Sequence, residues 1–258
     1  MMERPSQDLT NRRKVVYFGY RPVTEAEKSK LVQRHFDTVA ANYDLGNTIL
    51  SFGLHHYWKR NALKMLGLRP GDWVIDVCGG TGDLAILAAR AVDDSGRVFL
   101  YDFNRPMMDA GRSKIARASL SERIIYVQGD AEAIAVEDRC FDAAMVGFGI
   151  RNLTHIDRGF QEIHRILKPG GKLMCLEFSI PTAPWFRRLY DLYSFSIMPV
   201  VGRILVGSWA AYTYLPESIR MFPLPEELTA TLHENGFAKV IRKKLSNGIA
   251  FVYLAIKG

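Results

Sequence analysis

The chain has 258 residues, 48% of them hydrophobic, and a formal net charge of +7. That length accommodates one large α/β domain with a full core, and the apolar fraction is that of a globular protein. Three widely separated cysteines (Cys78, Cys140 and Cys175) argue against a disulfide framework or a cysteine zinc site and fit a reducing, cytoplasmic setting.

Residues 1–30 are polar, basic and without periodicity, and they read as a flexible arm. Arg12, Arg13, Lys14, Arg21, Lys28, Lys30 and Arg34 concentrate part of the charge near the N-terminus. A solvated tail is the plain reading; contact with nucleic acid or acidic lipid is the sharper one. No apolar N-terminal segment of the secretory kind is visible. Residues 31–258 read as a single domain. A helical pattern runs from Leu31 to Leu66 and breaks around "YDLGNTILSFG".

Strands and helices then alternate. "DWVIDVC" predicts a strand and "GDLAILAARAV" a helix. "RVFLYDF" predicts the next strand, and "RPMMDAGRSKIARAS" a helix opened by Pro106. "RIIYVQ" and "FDAAMVGF" are strands. "IDRGFQEIHRIL" is a helix closed by Lys168-Pro169-Gly170-Gly171, and "KLMCLEFS" the strand after it. Residues 180–223 interrupt the rhythm with an aromatic-rich insertion. Its apolar stretch from Phe195 contains Pro199 and Arg203 and does not read as a membrane span. A helix over "PEELTATLHENG" precedes two strands joined by Ser-Asn-Gly, a closing hairpin.

This alternation predicts an α/β fold: a doubly wound, Rossmann-like sheet, mostly parallel, with a C-terminal antiparallel hairpin. An N-terminal helical lid and a helical insertion complete it. Ligands of such sheets sit beyond the C-terminal strand ends. The loops at 78–83, 102–105, 129–132 and 147–154 should therefore share one edge.

The first of these loops holds three glycines within four positions. Gly80-x-Gly82-x-x-Ala85 matches the dinucleotide fingerprint, which several cofactor classes share. Asp76, just ahead of the glycines, would repel a pyrophosphate but suits a cationic amino group. Asp102, twenty residues after Gly82, can accept ribose hydroxyl protons. Asp130 can hold an exocyclic adenine amine, with Ala131 packing beside it. A ligand with an amino acid end, a ribose and an adenine meets all three acids; S-adenosylmethionine is such a ligand.

With these residues in place, the chain resembles the ubiquinone/menaquinone biosynthesis C-methyltransferases, within the class I S-adenosylmethionine-dependent methyltransferases. The resemblance covers roughly residues 31–258. It rests most on "FDTVAANYDLGNTILSFGLHHYWKR", "GGTGDLA", "FGIRNLTHIDRGFQEIHRILKPGGKLMCLEFS" and "YDLYSFSIMPVVGRILVGSWAAYTYLPESIRMFP". It implies C-methylation of a polyprenylated hydroquinone, demethylmenaquinol first and the ubiquinone precursor second. It also implies cofactor contacts at Thr81, Asp102, Asp130, Ala131 and Gly147. Position 147 is more often serine in that family, and Gly147 offers only backbone.

A hydroquinone carbon becomes a strong nucleophile when its neighbouring hydroxyl loses a proton, so the site needs a base or a cation beside a phenolate. Arg151 in "FGIRN" is the candidate cation; tying its loop to backbone carbonyls is the competing role. His55 and Tyr43 in the lid are further catalytic candidates, His55 by its reference pKa. No metal is required, and the sequence shows no His/Cys/Asp cluster with metal-ligand spacing. The insertion's aromatics with Arg187, Arg188 and Arg203 suit peripheral contact with a membrane's inner face. Two rival functions are a nucleic-acid methyltransferase and a non-catalytic nucleotide-binding module. The loop "GFGIRN" lacks the Pro-Pro-aromatic signature of amino-methylating DNA enzymes, so no nucleic-acid partner is expected. The oligomeric state stays open, a homodimer included.

Overall fold

A computed structural model describes residues 15–206 and 209–258. At its centre are seven strands. In chain order they are β3 (Trp73–Val77), β4 (Arg97–Asp102), β5 (Ile124–Gln128), β6 (Phe141–Gly147), β7 (Leu167–Phe178), β8 (Phe237–Leu245) and β9 (Ala250–Lys257). Their spatial order is β5-β4-β3-β6-β7-β9-β8. The pairs from β5 through β7 are parallel, and β9 pairs antiparallel with both β7 and β8. This is the sheet expected from the sequence. Its switch point lies between β3 and β6, where strand order reverses and a crevice opens.

The parallel strands are nearly continuous apolar runs because both faces are covered. Helices α3 (Leu54–Leu66), α4 (Asp83–Val92) and α5 (Arg105–Arg117) pack one face with Trp58, Ala62, Ala88 and Met108. Helices α6 (Ile156–Ile166) and α10 (Pro225–Glu234) pack the other with Phe160, Ile163, Leu228 and Leu232. Alternation along β3 sends Val74 to the first layer and Ile75 and Val77 to the second.

The N-terminal region departs from the expected arm. A hairpin of β1 (Val16–Phe18) and β2 (Arg21–Val23) leads into α1 (Glu25–Val39). The helix starts this early because Thr24 and Glu27 form a reciprocal capping box: the Thr24 amide donates to Glu27 Oε2 at 2.9 Å, and the Glu27 amide to Thr24 Oγ1 at 3.3 Å. Arg12, Arg13 and Lys14 lie outside the described residues. The expected break at "YDLGNTILSFG" is itself largely a helix, α2 (Tyr43–Leu50). Gly46 lets it pack closely, since a Cβ there would come within 2.4 Å of the Tyr212 hydroxyl.

The insertion is helical: α7 (Pro184–Leu192), a π-turn at Tyr193–Ile197, α8 (Met198–Val206) and α9 (Trp209–Met221). A small third core of Val39, Leu50, Met198, Ala211 and Tyr212 binds it to the lid. No described helix is long and apolar enough to cross a membrane.

Candidate functional site

The four strand-end loops do converge on one edge, around a cavity of about 300 Å³. Asp76, Gly80, Thr81, Asp102, Asp130, Ala131, Gly147 and Tyr43 all line it. Gly82 does not. It caps α4 with φ +80°, and a Cβ there would meet Leu100 Cδ1 at 2.8 Å and Ile115 Cδ1 at 2.9 Å. Its part is to let the loop turn against the sheet. At Gly147 a Cβ would come within 2.6 Å of Leu84 Cδ1, so the glycine lets Leu84 close over the end of β6.

The carboxylates differ sharply in their surroundings. Asp76 is 1% exposed, and neither of its oxygens makes a hydrogen bond of normal geometry to a described residue, although the Ala85 amide in the first turn of α4 favours its ionised form. Burial pushes its pKa up to about 8, against the pull of Lys59. A buried carboxyl this poorly satisfied, beside a cavity, fits a cationic ligand group, which would supply what the protein withholds. Asp102 is the opposite case. Its Oδ2 accepts from the Gly80 amide at 2.8 Å and its Oδ1 from the Asn104 amide at 2.7 Å. Burial still raises it to about 6 despite these bonds. It ties the glycine loop to the end of β4. Asp130 accepts from the Glu132 amide at 2.9 Å and keeps an exposed position beside buried Ala131.

The lid closes on this cavity through polar contacts. Lys28 of α1 donates to the Leu153 carbonyl at 2.6 Å, and His155 Nε2 lies 3.3 Å from Glu25. Asp44 of α2 accepts from the Thr81 hydroxyl at 2.7 Å and from Lys114 at 2.7 Å. Lys114 also pairs with Asp83, which Lys59 of α3 reaches at 2.7 Å. Burial works against ionisation of Asp83, but the two lysines override it and hold its carboxyl well below the ordinary range.

A second cavity, about 350 Å³, lies between lid, sheet edge and insertion. Its walls are mainly apolar and aromatic, with Val39, Leu50, Trp58, Phe178 and Phe186 among them. His55 and Arg151 face this cavity and not the first; Phe36, Tyr43, Lys59 and Phe148 line both. The shared residues mark where the two spaces meet.

Arg151 sits in the short 3₁₀ turn Ile150–Asn152 after β6. Its guanidinium Nη1 donates to Glu177 Oε1 at 2.7 Å and to the Phe148 carbonyl, and its amide donates to Glu177 Oε2 at 3.2 Å. Glu177 is fully buried. The loop-tying role is therefore occupied, while Nε has no partner among the described residues. His55 Nδ1 is 2.7 Å from Ser51 Oγ. Burial, then Lys59 and His56, lower its pKa to about 4, so the ring is neutral at physiological pH and a weaker base than its reference value suggests. His35 of α1, unremarked in the sequence, lines the same cavity, packs against Tyr214 and is lowered to about 4 by burial and Arg151.

The fold also brings together a cluster that the sequence spacing does not show. Ligand-capable atoms of His55, His56 and Asp83 lie within 4.8 Å of one another. Two lysines already occupy the carboxylate and Ser51 the His55 Nδ1, so the donor set is a poor one for a cation. Asp44, Lys59, Lys114 and Glu177 were also invisible as site residues. Their roles rest on partners 24 to 70 positions away, and no local pattern encodes them.

The model of the ubiE/COQ5 methyltransferase family matches residues 23–257. A protein of Legionella pneumophila (strain Lens), named ubiquinone/menaquinone biosynthesis C-methyltransferase UbiE, is 42% identical over 249 residues, 96% of this chain and 100% of its own. The protein of that name in Pseudomonas putida is 43% identical over 241 residues, 93% and 94% of the two chains. Among solved structures, a SAM-dependent methyltransferase from Aquifex aeolicus superposes with TM-score 0.55 at 16% identity, covering 92% of this chain and all of its own. A Haemonchus contortus phosphoethanolamine N-methyltransferase 2 in complex with S-adenosyl-L-methionine gives TM-score 0.56 at 15% identity, over 77% of this chain and 52% of that one. These two likenesses show a common fold; the sequence matches go further, and by them the chain belongs to the ubiE/COQ5 methyltransferase family, a family of S-adenosylmethionine-dependent C-methyltransferases.

Proposed function

We propose that the enzyme methylates a ring carbon of a reduced, polyprenylated quinone, converting demethylmenaquinol to menaquinol. The observation that carries this reading is the second cavity: apolar, aromatic-lined and joined to the cofactor cavity at Phe36, Tyr43, Lys59 and Phe148. Its aromatic walls suit a fused bicyclic ring. The ubiquinone precursor is the second reading, favoured by relatives whose names carry both quinones.

In the first cavity Asp76 would hold the cofactor's ammonium, Asp102 its ribose hydroxyls, and Asp130 with Ala131 its adenine. Gly80, Thr81 and Gly147 would offer close backbone. When bound, the cofactor supplies an electrophilic methyl on a sulfonium. The chain's own residues have three tasks. The lid contacts of Asp44, Lys28 and Glu25 exclude water. Phe36, Tyr43 and Phe148 position the ring at the junction. Arg151 places a fixed positive charge beside the acceptor cavity, where it stabilises a phenolate without leaving Glu177. His55, neutral, can orient a hydroxyl but is too weak to hold its proton, so the hydroxyl proton, and the one that the methylated ring carbon then loses to restore the aromatic ring, pass to solvent.

The test is incubation with labelled S-adenosylmethionine and a panel of naphthoquinols and benzoquinols, each in reduced and oxidised form, followed by product mass. Only reduced forms should be methylated, because only a quinol yields an electron-rich phenolate. Turnover of the oxidised quinones under oxidising conditions defeats the mechanism. Preference for a benzoquinol replaces the first acceptor with the second.

The acceptor's isoprenoid tail lives in a membrane, and the exposed face of the lid and insertion suits contact with one. Phe52 is 80% exposed, Trp185 66%, Leu192 62% and Ile204 77%. Arg187, Arg188 and Arg203 are exposed among them. Apolar side chains flanked by arginines favour an anionic interface. Replacing Trp185, Leu192 and Ile204 by serine should abolish co-sedimentation with anionic vesicles and leave turnover of a short-tailed, water-soluble quinol intact. Undiminished vesicle binding would remove this face from the proposal.

A further inference from the structure

The amino acid end of the cofactor carries a carboxylate as well as an ammonium, and Asp76 can answer only the second. A cavity that takes a zwitterion needs a cation close to its anion. The cationic side chains lining the first cavity are Lys59, Arg158 and the ionisable His155. His155, the N-cap of α6, is engaged with Glu25 at the roof, and Arg158 in the first turn of α6 is exposed. Lys59 comes instead from α3, beside the glycine loop and Asp76. It is 8% exposed and lines the cavity together with Asp76, Gly79, Gly80 and Thr81.

Resting on the cofactor reading above, we propose that the Lys59 ammonium receives the α-carboxylate of S-adenosylmethionine, so that Lys59 and Asp76 form a matched pair for the zwitterion. A lysine ammonium has three donors, and the contact found for Lys59 uses one, to Asp83 Oδ2 at 2.7 Å. Asp83 also receives Lys114, which in turn binds Asp44. Lys59 is thus held in place by a carboxylate it shares, with donors left for a ligand. The Lys59 charge is also the strongest one acting on Asp76, which places the two groups in one electrostatic neighbourhood.

The proposal separates two ligands that differ by one group. Calorimetry compares S-adenosylmethionine with its decarboxylated analogue, on the wild-type protein and on Lys59→Met. A charge-assisted hydrogen bond of this kind corresponds to about a tenfold to hundredfold change in affinity. Wild type should prefer S-adenosylmethionine by that factor. Lys59→Met should lose the preference, with the analogue bound about as well as before, and Lys59→Arg should retain it. Equal wild-type affinity for the two ligands overturns the proposal even if no variant folds. A preference that survives in Lys59→Met overturns it as well, as does equal weakening of both ligands, which would mean that Lys59 only braces α3 against Asp83. Wild type that binds neither ligand would instead refute the cofactor reading on which the proposal rests.

Discussion

Arg151→Met should lower the single-turnover rate of methyl transfer by about 10²–10³, the usual effect of removing one electrostatic donor from a transition state. It should also destabilise the fold, because the arginine has a buried partner. Glu177 is fully buried and the Arg151 side chain is 7% exposed. Removing one member of such a pair leaves a buried charge uncompensated, at a cost of about 3–5 kcal/mol. The two effects can be separated. Arg151→Met combined with Glu177→Gln takes away the orphaned charge and should recover much of the melting temperature. If Arg151 stabilises the phenolate, the rate stays low in the double variant. If Arg151 only ties its loop to Glu177 and the Phe148 carbonyl, rate and stability return together. Arg151→Lys should restore part of the rate, since an ammonium cannot copy the planar fork. Melting temperature, cofactor affinity and single-turnover rate, measured on the same four proteins, decide between these.

Asp76→Asn is expected to change both the pH dependence of stability and the proton balance of cofactor binding. The folded-state pKa is about 8, against 3.8 for an ordinary aspartate. Between those values the folded protein keeps a proton that the unfolded chain has released. Stability therefore falls as pH rises through this window, by up to about 1.4 kcal/mol per pH unit, and the loss is complete above it. The asparagine variant has no such proton, so without ligand it should be more stable than wild type in mildly alkaline solution. Binding a cationic ammonium favours the ionised carboxylate. Below about pH 8 wild type should therefore release a proton into the buffer, and the variant should not. The apparent binding enthalpy should vary with the buffer's ionisation enthalpy for wild type alone. Loss of the charged acceptor should weaken binding about tenfold to hundredfold. Equal proton release from both proteins would free Asp76 from the ammonium role.

Much of this molecule is written in short stretches of its sequence. The β3–glycine loop–α4 unit, the alternation of strands with helices and the Ser-Asn-Gly hairpin each depend on periodicity or turn chemistry within about ten residues. Strand ends of a parallel sheet must fall on one edge, so Asp76, Asp102 and Asp130 could be placed around a common cavity before any coordinates. Other features needed the tertiary structure. The short apolar stretch around Gly46 reads locally as a break, and contact with Tyr212 and Leu50's packing on Met198 hold it as a helix. Likewise, the side-chain partners of Arg151, Lys59, Thr81 and Asp44 lie on other elements, 24 to 70 residues distant. Whether a buried arginine is free or paired, and whether an aspartate titrates near 4 or 8, depends on which charges and how little water surround it. Those surroundings come from packing between distant segments, and a local pattern carries no record of them.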